Sequence, residues 1–476
     1  MTPLNKEILR LALPSILANI TIPLVGMVDI AVAGHLDSSA AALIGGISIG
    51  SLMFDMMYWN FGFLRAGTGG LTAQAYGRED WADCLANLRR GLLVAILSAL
   101  LLILIQWPFQ KLVFLFVRCS DEVKALALKY FYIRVWAAPA TLCLMVLRGW
   151  FIGMQDSFSS MLTDVIVNGV NIIMSILLAL GIPGTSFHGI GFVGIAWGTV
   201  IAQYSGILFA SVIFIHKYSK VILGSGGNAP GRPFTRTGRE AQGVQGPFAA
   251  EPQNDGRMRQ FFSVNRDLFI RSLCLMGVYL AFSALSARFS DLYLAMCSIM
   301  MKLMMIFSYF TDGFAFAGEA ITGRFYGRRD KPAVSKTVEW TFVWSMGIGI
   351  FFIGIYALAG IPMFRVMTSD DTVIEAAREF IPWLAVMPLV GCPAFTWDGI
   401  YTGATATREM RDANIGCLIA FFVVWFAGMA IMNMTGGAPV SSRVKVHLLF
   451  AAYYAHLIFR SLYQTVKYKK SILNCI

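Results

Sequence analysis

The chain predicts an all-α integral membrane protein of twelve transmembrane helices in two six-helix halves, and three observations predict it. Of its 476 residues, 57% are hydrophobic and 14% charged, whereas a soluble domain holds about half apolar and about a quarter charged residues. Apolar runs of about 20 residues, each long enough to cross a bilayer, recur along the whole length. One set of motifs also returns in the second half at a constant offset from its copies in the first.

In order, the first span covers 6–34 and the second 40–64. A polar segment, 66–90, carries Tyr76-Gly77-Arg78-Glu79-Asp80. Spans three to six cover 88–107, 124–153, 160–182 and 190–216. The composition then changes: 217–264 is rich in Gly, Pro, Arg and Gln without an apolar period, and reads as a flexible basic linker. Its glycines are not followed by Gly-Lys-Ser/Thr, which argues against a phosphate loop and an ATP-driven pump. Spans seven to twelve cover 268–288, 292–323, 338–361, 376–404, 412–434 and 446–465, before a short basic tail. The domains are therefore 1–216, the linker 217–264, and 265–476. No cleavable signal peptide is expected, because the first apolar run is too long for one.

The repeat rests on two matches at one offset. Tyr76-Gly77-Arg78-x-Asp80 returns as Tyr326-Gly327-Arg328-x-Asp330, and Gly149-x-Phe151-x-Gly153 as Gly399-x-Tyr401-x-Gly403. An even number of spans per half makes the repeat parallel, with a substrate site expected near the midplane. The Tyr-Gly-Arg-x-Asp motifs read as structural turns at the inner surface. Arg78, Arg89, Arg90, Arg324, Arg328, Arg329, Lys331, Arg408 and Arg411 fall in loops on one side, so both termini and the linker are expected in the cytoplasm. The net charge of +11 fits this bias and contact with anionic lipid rather than nucleic acid. The eight cysteines are scattered without a Cys-x-x-Cys pair and read as buried thiols, and no metal site is expected.

Ionisable residues inside spans are costly and mark function by default. In the first half the acid is Asp29, downstream of Pro23, whose missing N–H should bend the helix. Asn19 lies about three turns before it. Asn168 and Asn171 share a face of span five. A carboxyl shielded from lipid among amides can be neutral in one access state and ionised in another, as proton coupling needs; it can also stay charged and hold Na⁺. The alternative for the asparagines is interhelical hydrogen bonding. In the second half, Lys302, Asp312 and Glu319 lie on span eight and Asp398 on span ten, with Lys302 expected to pair with Asp312 or Asp398. The methionines around Lys302 read as packing or as a permissive wall. No arrangement of nucleophile and base suggests a membrane enzyme.

Taken together, Leu13-Pro14, Asn19-Ile20-Thr21, Pro23-Leu24, Val28-Asp29, Gly34-His35-Leu36, Gly69-x-Leu71-Thr72-Ala73-Gln74-Ala75-Tyr76-Gly77, Asn265-Arg266-Asp267, Asp312-Gly313-Phe314-Ala315, Glu319-Ala320, Asp398-Gly399 and Glu409-Met410-Arg411 are similar to the multidrug and toxic compound extrusion (MATE) transporters, in their DinF-like branch. The resemblance implies two six-helix lobes around a central cleft, and efflux of bulky amphipathic organic compounds in exchange for H⁺ or Na⁺, without a cofactor. It places Asp29 on the aspartate whose protonation bends span one. It also expects an aspartate where this chain has Ser175, which favours H⁺ over Na⁺. The chain is thus expected to be a monomeric, proton-coupled exporter of the inner membrane, with Asp29 as coupling residue, a first-lobe pocket of Asn19, Pro23, Asn168, Asn171 and Ser175, and a second-lobe cluster of Lys302, Asp312, Glu319 and Asp398. The alternatives are a lipid-linked oligosaccharide flippase of the same superfamily, for which Lys302 is the one deep cation evident, and a membrane-embedded enzyme or receptor.

Overall fold

Side-chain caps and left-handed turns, rather than the ends of the apolar runs, decide where the helices start and stop. The structure is a computed structural model and describes residues 2–34, 36, 40–116, 119–181, 188–222, 255–368, 370–435 and 441–476. His35 and the central linker residues 223–254 lie outside the described residues. In chain order the helices are α1 (Pro3–Gly34), α2 (Ala40–Tyr58), α3 (Gly62–Gly77), α4 (Trp81–Leu104), α5 (Gln106–Phe116), α6 (Asp121–Arg134), α7 (Ala138–Gly153), α8 (Ser157–Leu180), α9 (Phe192–Ile222), α10 (Asp255–Ser286), α11 (Asp291–Gly327), α12 (Lys331–Met367), α13 (Asp371–Gly403), α14 (Thr407–Thr435) and α15 (Ser442–Ser471). No strand occurs among the described residues. One-turn 3₁₀ segments, Trp59–Phe61 and Val135–Ala137, join α2 to α3 and α6 to α7. Among the described residues, 11 helices or joined pairs are long and apolar enough to cross a membrane. The 30-residue α15 has the length, but Arg443, Lys445, His447, His456 and Arg460 lower its apolar content.

The helices outrun the apolar runs. The polar segment 66–90 is the end of α3, a tight turn and the start of α4. Likewise α9 reaches Ile222 and α10 begins at Asp255, so both ends of the compositional linker are helical. The repeated motif explains the turns. Glu79 (φ 61°) and Arg329 (φ 59°) occupy the left-handed region, each followed by an aspartate that caps the next helix. Asp80 accepts from the Asp83 N–H at 2.9 Å and Asp330 from the Ala333 N–H at 3.0 Å. Gln155 (φ 62°) and Thr405 (φ 52°) repeat the left-handed turn after α7 and α13, with the aspartate cap kept only at Asp156, which accepts from the Ser159 N–H at 3.2 Å. Each pair of equivalent positions thus folds alike, and the Tyr-Gly-Arg-x-Asp motifs are turn-and-cap elements.

The residues cluster into two compact units, which are not the two halves of the chain. The first unit joins Met1–Ile20 and Gly69–Arg78 to Val264–Ile476. Within it, Glu7 takes a bidentate pair from Arg324 at 2.5 and 2.7 Å, and Asn5 accepts from the Trp344 indole at 3.4 Å. A Cβ on Gly77 would lie 2.0 Å from the Arg324 carbonyl oxygen, and one on Gly327 2.2 Å from that of Gln74, so α3 and α11 meet backbone to backbone. Its core is aromatic and sulfur-rich: Met296, Met300, Met301 and Met304 are buried with Phe307, Phe352, Tyr356 and Phe380. The methionines therefore pack rather than line a wall. The second unit joins Thr21–Thr68 to Glu79–Ser263. It is tied by Asp156, which accepts from Lys217 at 2.6 Å and Tyr218 at 2.8 Å, and by the Trp150 indole donating to the Cys84 carbonyl at 2.8 Å. All eight cysteines are free thiols, six of them buried.

The repeat-equivalent Gly149 and Gly399 make the same contact, one in each unit. A Cβ there would meet the Arg65 carbonyl at 2.1 Å and the Ala315 carbonyl at 2.0 Å. Gly149→Ala and Gly399→Ala should each destabilise by about 1–3 kcal/mol or more, because backbone cannot yield as a side chain can. Gly347→Ala, with nothing within 4 Å, should be neutral or stabilise by up to about 1 kcal/mol. Thermal unfolding of the three variants in detergent separates these outcomes.

Candidate functional site

In the second unit the site begins on α1. Asp29 is 5% exposed, and Val32 and Ala33, one turn on, are buried on the same face. Leu24, Met27 and Ile30 leave an exposed apolar surface of the kind a bilayer covers. The carboxyl faces the Ser175 hydroxyl on α8 and the Arg134 guanidinium on α6, yet Asp29 Oδ1 and Ser175 Oγ are both without a hydrogen bond among the described residues.

Arg134 ends α6, where a cation also favours the terminal carbonyls. Its Nη1 donates to Tyr130 Oη at 2.9 Å, and its guanidinium carbon lies 4.8 Å from the Phe54 ring centre. The charges facing it are Asp29 and Asp55, with the Tyr58 and Tyr130 hydroxyls. Asp29 and the exposed Asp55 both lie in the field of this one guanidinium, which never deprotonates, though neither is ion-paired with it among the described residues. With both ionised the cluster holds one excess negative charge, and a single proton or organic cation removes it.

The predicted first-lobe pocket is assembled only in part. Asn171 Nδ2 donates to Thr199 Oγ1 on α9 at 3.0 Å, while its Oδ1 makes no hydrogen bond. Asn168 Nδ2 donates to Thr21 Oγ1 at 2.5 Å, tying α8 to α1 about two turns before Asp29. Ser175 is buried against Gly198. Pro23 is half-buried on α1. Asn19 leaves the cluster: it lies in the first unit and donates to the Tyr309 carbonyl on α11 at 3.2 Å. Ten helical residues turn the chain about 80° short of a whole number of turns, so Asn19 and Asp29 point to different neighbours.

The second-lobe cluster is also reordered. Lys302 is exposed on α11 and does not pair with Asp398. Met300 and Met304 point into the core, and Lys302, two residues from each, is turned about 200° away. Asp398 instead takes Arg271 Nη2 at 2.5 Å, Arg460 Nη1 at 3.3 Å and Gln464 Nε2 at 3.4 Å. Asp312 is half-buried and Glu319 buried, both on α11. The residues that sequence reasoning missed are Arg134, Asp55, Arg271 and Arg460. Their signal was present, since each is an ionisable residue inside an apolar run.

Comparison with known proteins adds an independent line. The model of the MatE family matches residues 14–177 and 268–424. DNA damage-inducible protein F of Escherichia coli (strain K12) is 31% identical over 413 residues, 87% of this chain and 83% of that protein. A probable multidrug resistance protein NorM of Rhizobium meliloti (strain 1021) is 22% identical, over 88% of this chain and 84% of its own length. A crystal structure described as MATE in the bent conformation superposes with a TM-score of 0.80 at 14% identity, covering 99% of this chain and 96% of the other.

Removing Arg460 leaves Asp398 paired one to one with Arg271, so what is lost is a buried hydrogen bond and the packing of a large side chain. Arg460→Ala, whose side chain is 2% exposed, should cost about 1–3 kcal/mol. Lys302→Ala should change the unfolding temperature in detergent by no more than scatter. Equal effects of the two substitutions would contradict this assignment of Asp398's partners.

Proposed function

The chain belongs to the MatE family, and on that footing we propose that it exports small amphipathic organic compounds across the inner membrane in exchange for protons, with Asp29 as the coupling residue. It is a multi-pass membrane transporter and not an enzyme. The observation that carries the proton assignment is Asp29: a buried carboxyl, with one oxygen lacking a hydrogen bond among the described residues, in the field of an arginine that does not form an ion pair with it. Arg134 also supports H⁺ over Na⁺. A metal ion at Asp29 would feel a fixed guanidinium charge, whereas a proton needs only the carboxyl oxygen.

In the proposed cycle the ionised cluster holds a substrate cation against its one excess negative charge. Protonation of Asp29 on the outer side removes that charge, so substrate affinity falls and the compound leaves. Return to the inner side releases the proton and restores the site. The exchange follows from differential affinity alone. Asn171 and Ser175 supply uncharged oxygens beside the acid, and the termini and linker lie in the cytoplasm, as the lysine and arginine bias suggests.

Asp29→Asn keeps the shape of the side chain but cannot ionise. In proteoliposomes it should abolish dye export driven by a pH gradient, while its unfolding temperature in detergent stays near wild type. Wild-type protein should respond to an imposed pH gradient and not to a Na⁺ gradient. Pumping by Asp29→Asn at the wild-type rate would end the coupling assignment, and export driven by Na⁺ alone would end the choice of ion.

A further inference from the structure

We infer that the first unit carries an anion-binding site at Arg271 and Arg460, for a small monovalent anion or a carboxylate group. The argument begins with charge. Asp398 on α13 is the one carboxylate that pairs with either arginine among the described residues, Arg271 coming from α10 and Arg460 from α15. The cluster therefore carries one excess positive charge. The other groups facing Arg460 are Cys417, Tyr453 and His456, none of them a carboxylate, and Phe395, whose ring centre lies 5.4 Å from the guanidinium carbon.

Burial makes that excess matter. The Arg460 side chain is 2% exposed, Asp398 13% and Arg271 20%. An unmatched charge away from water is expensive, and buried guanidinium N–H groups are normally all bonded. Yet Arg271 Nε and Arg460 Nε are both buried without a hydrogen-bond partner among the described residues, as is Arg148 Nε. Gln464, fully buried, spends its amide N–H on Asp398 and so steadies the acid. Two unused, charge-assisted donors beside one excess positive charge fit one monovalent anion, which planar guanidinium groups bind well. The repeat offers an internal contrast. Arg148 of the second unit stands at the position equivalent to Asp398, and it forms a one-to-one pair with Asp164 at 2.5 Å, which leaves no excess charge.

The anion has two sources, and the same protein distinguishes them. Purified full-length chain in detergent is titrated with radiolabelled chloride, gluconate replacing chloride at constant ionic strength, with acetate as competitor. We expect saturable binding of one chloride per chain, displaced by acetate, and an unfolding temperature higher in chloride than in gluconate. Arg271→Gln should weaken chloride at least about tenfold, as loss of one charged donor pair implies. Asp398→Asn, which removes the competing carboxylate, should bind chloride more tightly. If neither variant folds, the wild-type titration and its gluconate control still decide. In proteoliposomes, a resident free anion makes export of a cationic dye depend on chloride. A site for the substrate's own carboxylate instead makes chloride compete with a carboxylated dye and leaves a cationic dye untouched. Absence of saturable chloride or acetate binding to wild type, or unchanged binding in folded Arg271→Gln, would overturn the proposal.

Discussion

Charge matching in an apolar bundle is the constraint on which this molecule depends. A carboxylate or guanidinium withdrawn from water is tolerated only where a partner of opposite sign meets it. The chain meets this demand with arginine in each unit: Arg134 in the electrostatic reach of Asp29 and Asp55, Arg148 against Asp164, and Arg271 with Arg460 around Asp398. Where the count balances, as at Arg148, the pair is structural. Where it does not, one charge is left unmatched. The imbalance is negative beside Asp29 and positive beside Asp398, so the two units present opposite chemistry.

Around these charges the scaffold is held by close backbone approach. Gly77, Gly327, Gly149 and Gly399 stand where any side chain would strike a carbonyl oxygen, and the repeat places them at equivalent positions. Left-handed residues recur at equivalent positions, and the aspartate caps do so at Asp80 and Asp330, ending one helix and starting the next within a few residues. Duplication of one unit of local chemistry therefore accounts for much of the order, and the aromatic and methionine core fills what remains.

Much of this was legible from residues alone because it is local. Length and apolar content give the spans, and a constant offset gives the repeat. Asp29 stood out because an acid in an apolar run is conspicuous. Arg134 does not stand out, because an arginine at a helix end reads as a marker of membrane sidedness. Lys302 misled for a simpler reason: a position in an apolar run says nothing about direction. The spacing of Met300 and Met304 points the lysine outward once helical rotation is followed. Asn19 shows the limit of the method. Its neighbour, the Tyr309 carbonyl, lies nearly three hundred residues away in sequence, and only the folded chain reveals it.

One feature of α1 has a mechanical meaning. The helix is continuous from Pro3 to Gly34, but the division between compact units falls at Ile20 and Thr21, just before Pro23. Proline has no N–H to give, so the Asn19 carbonyl lacks its usual partner along the helix. The missing bond thus spans the point where the helix passes from one unit to the other. Asp29 lies beyond that gap, so the two ends of one helix belong to different units.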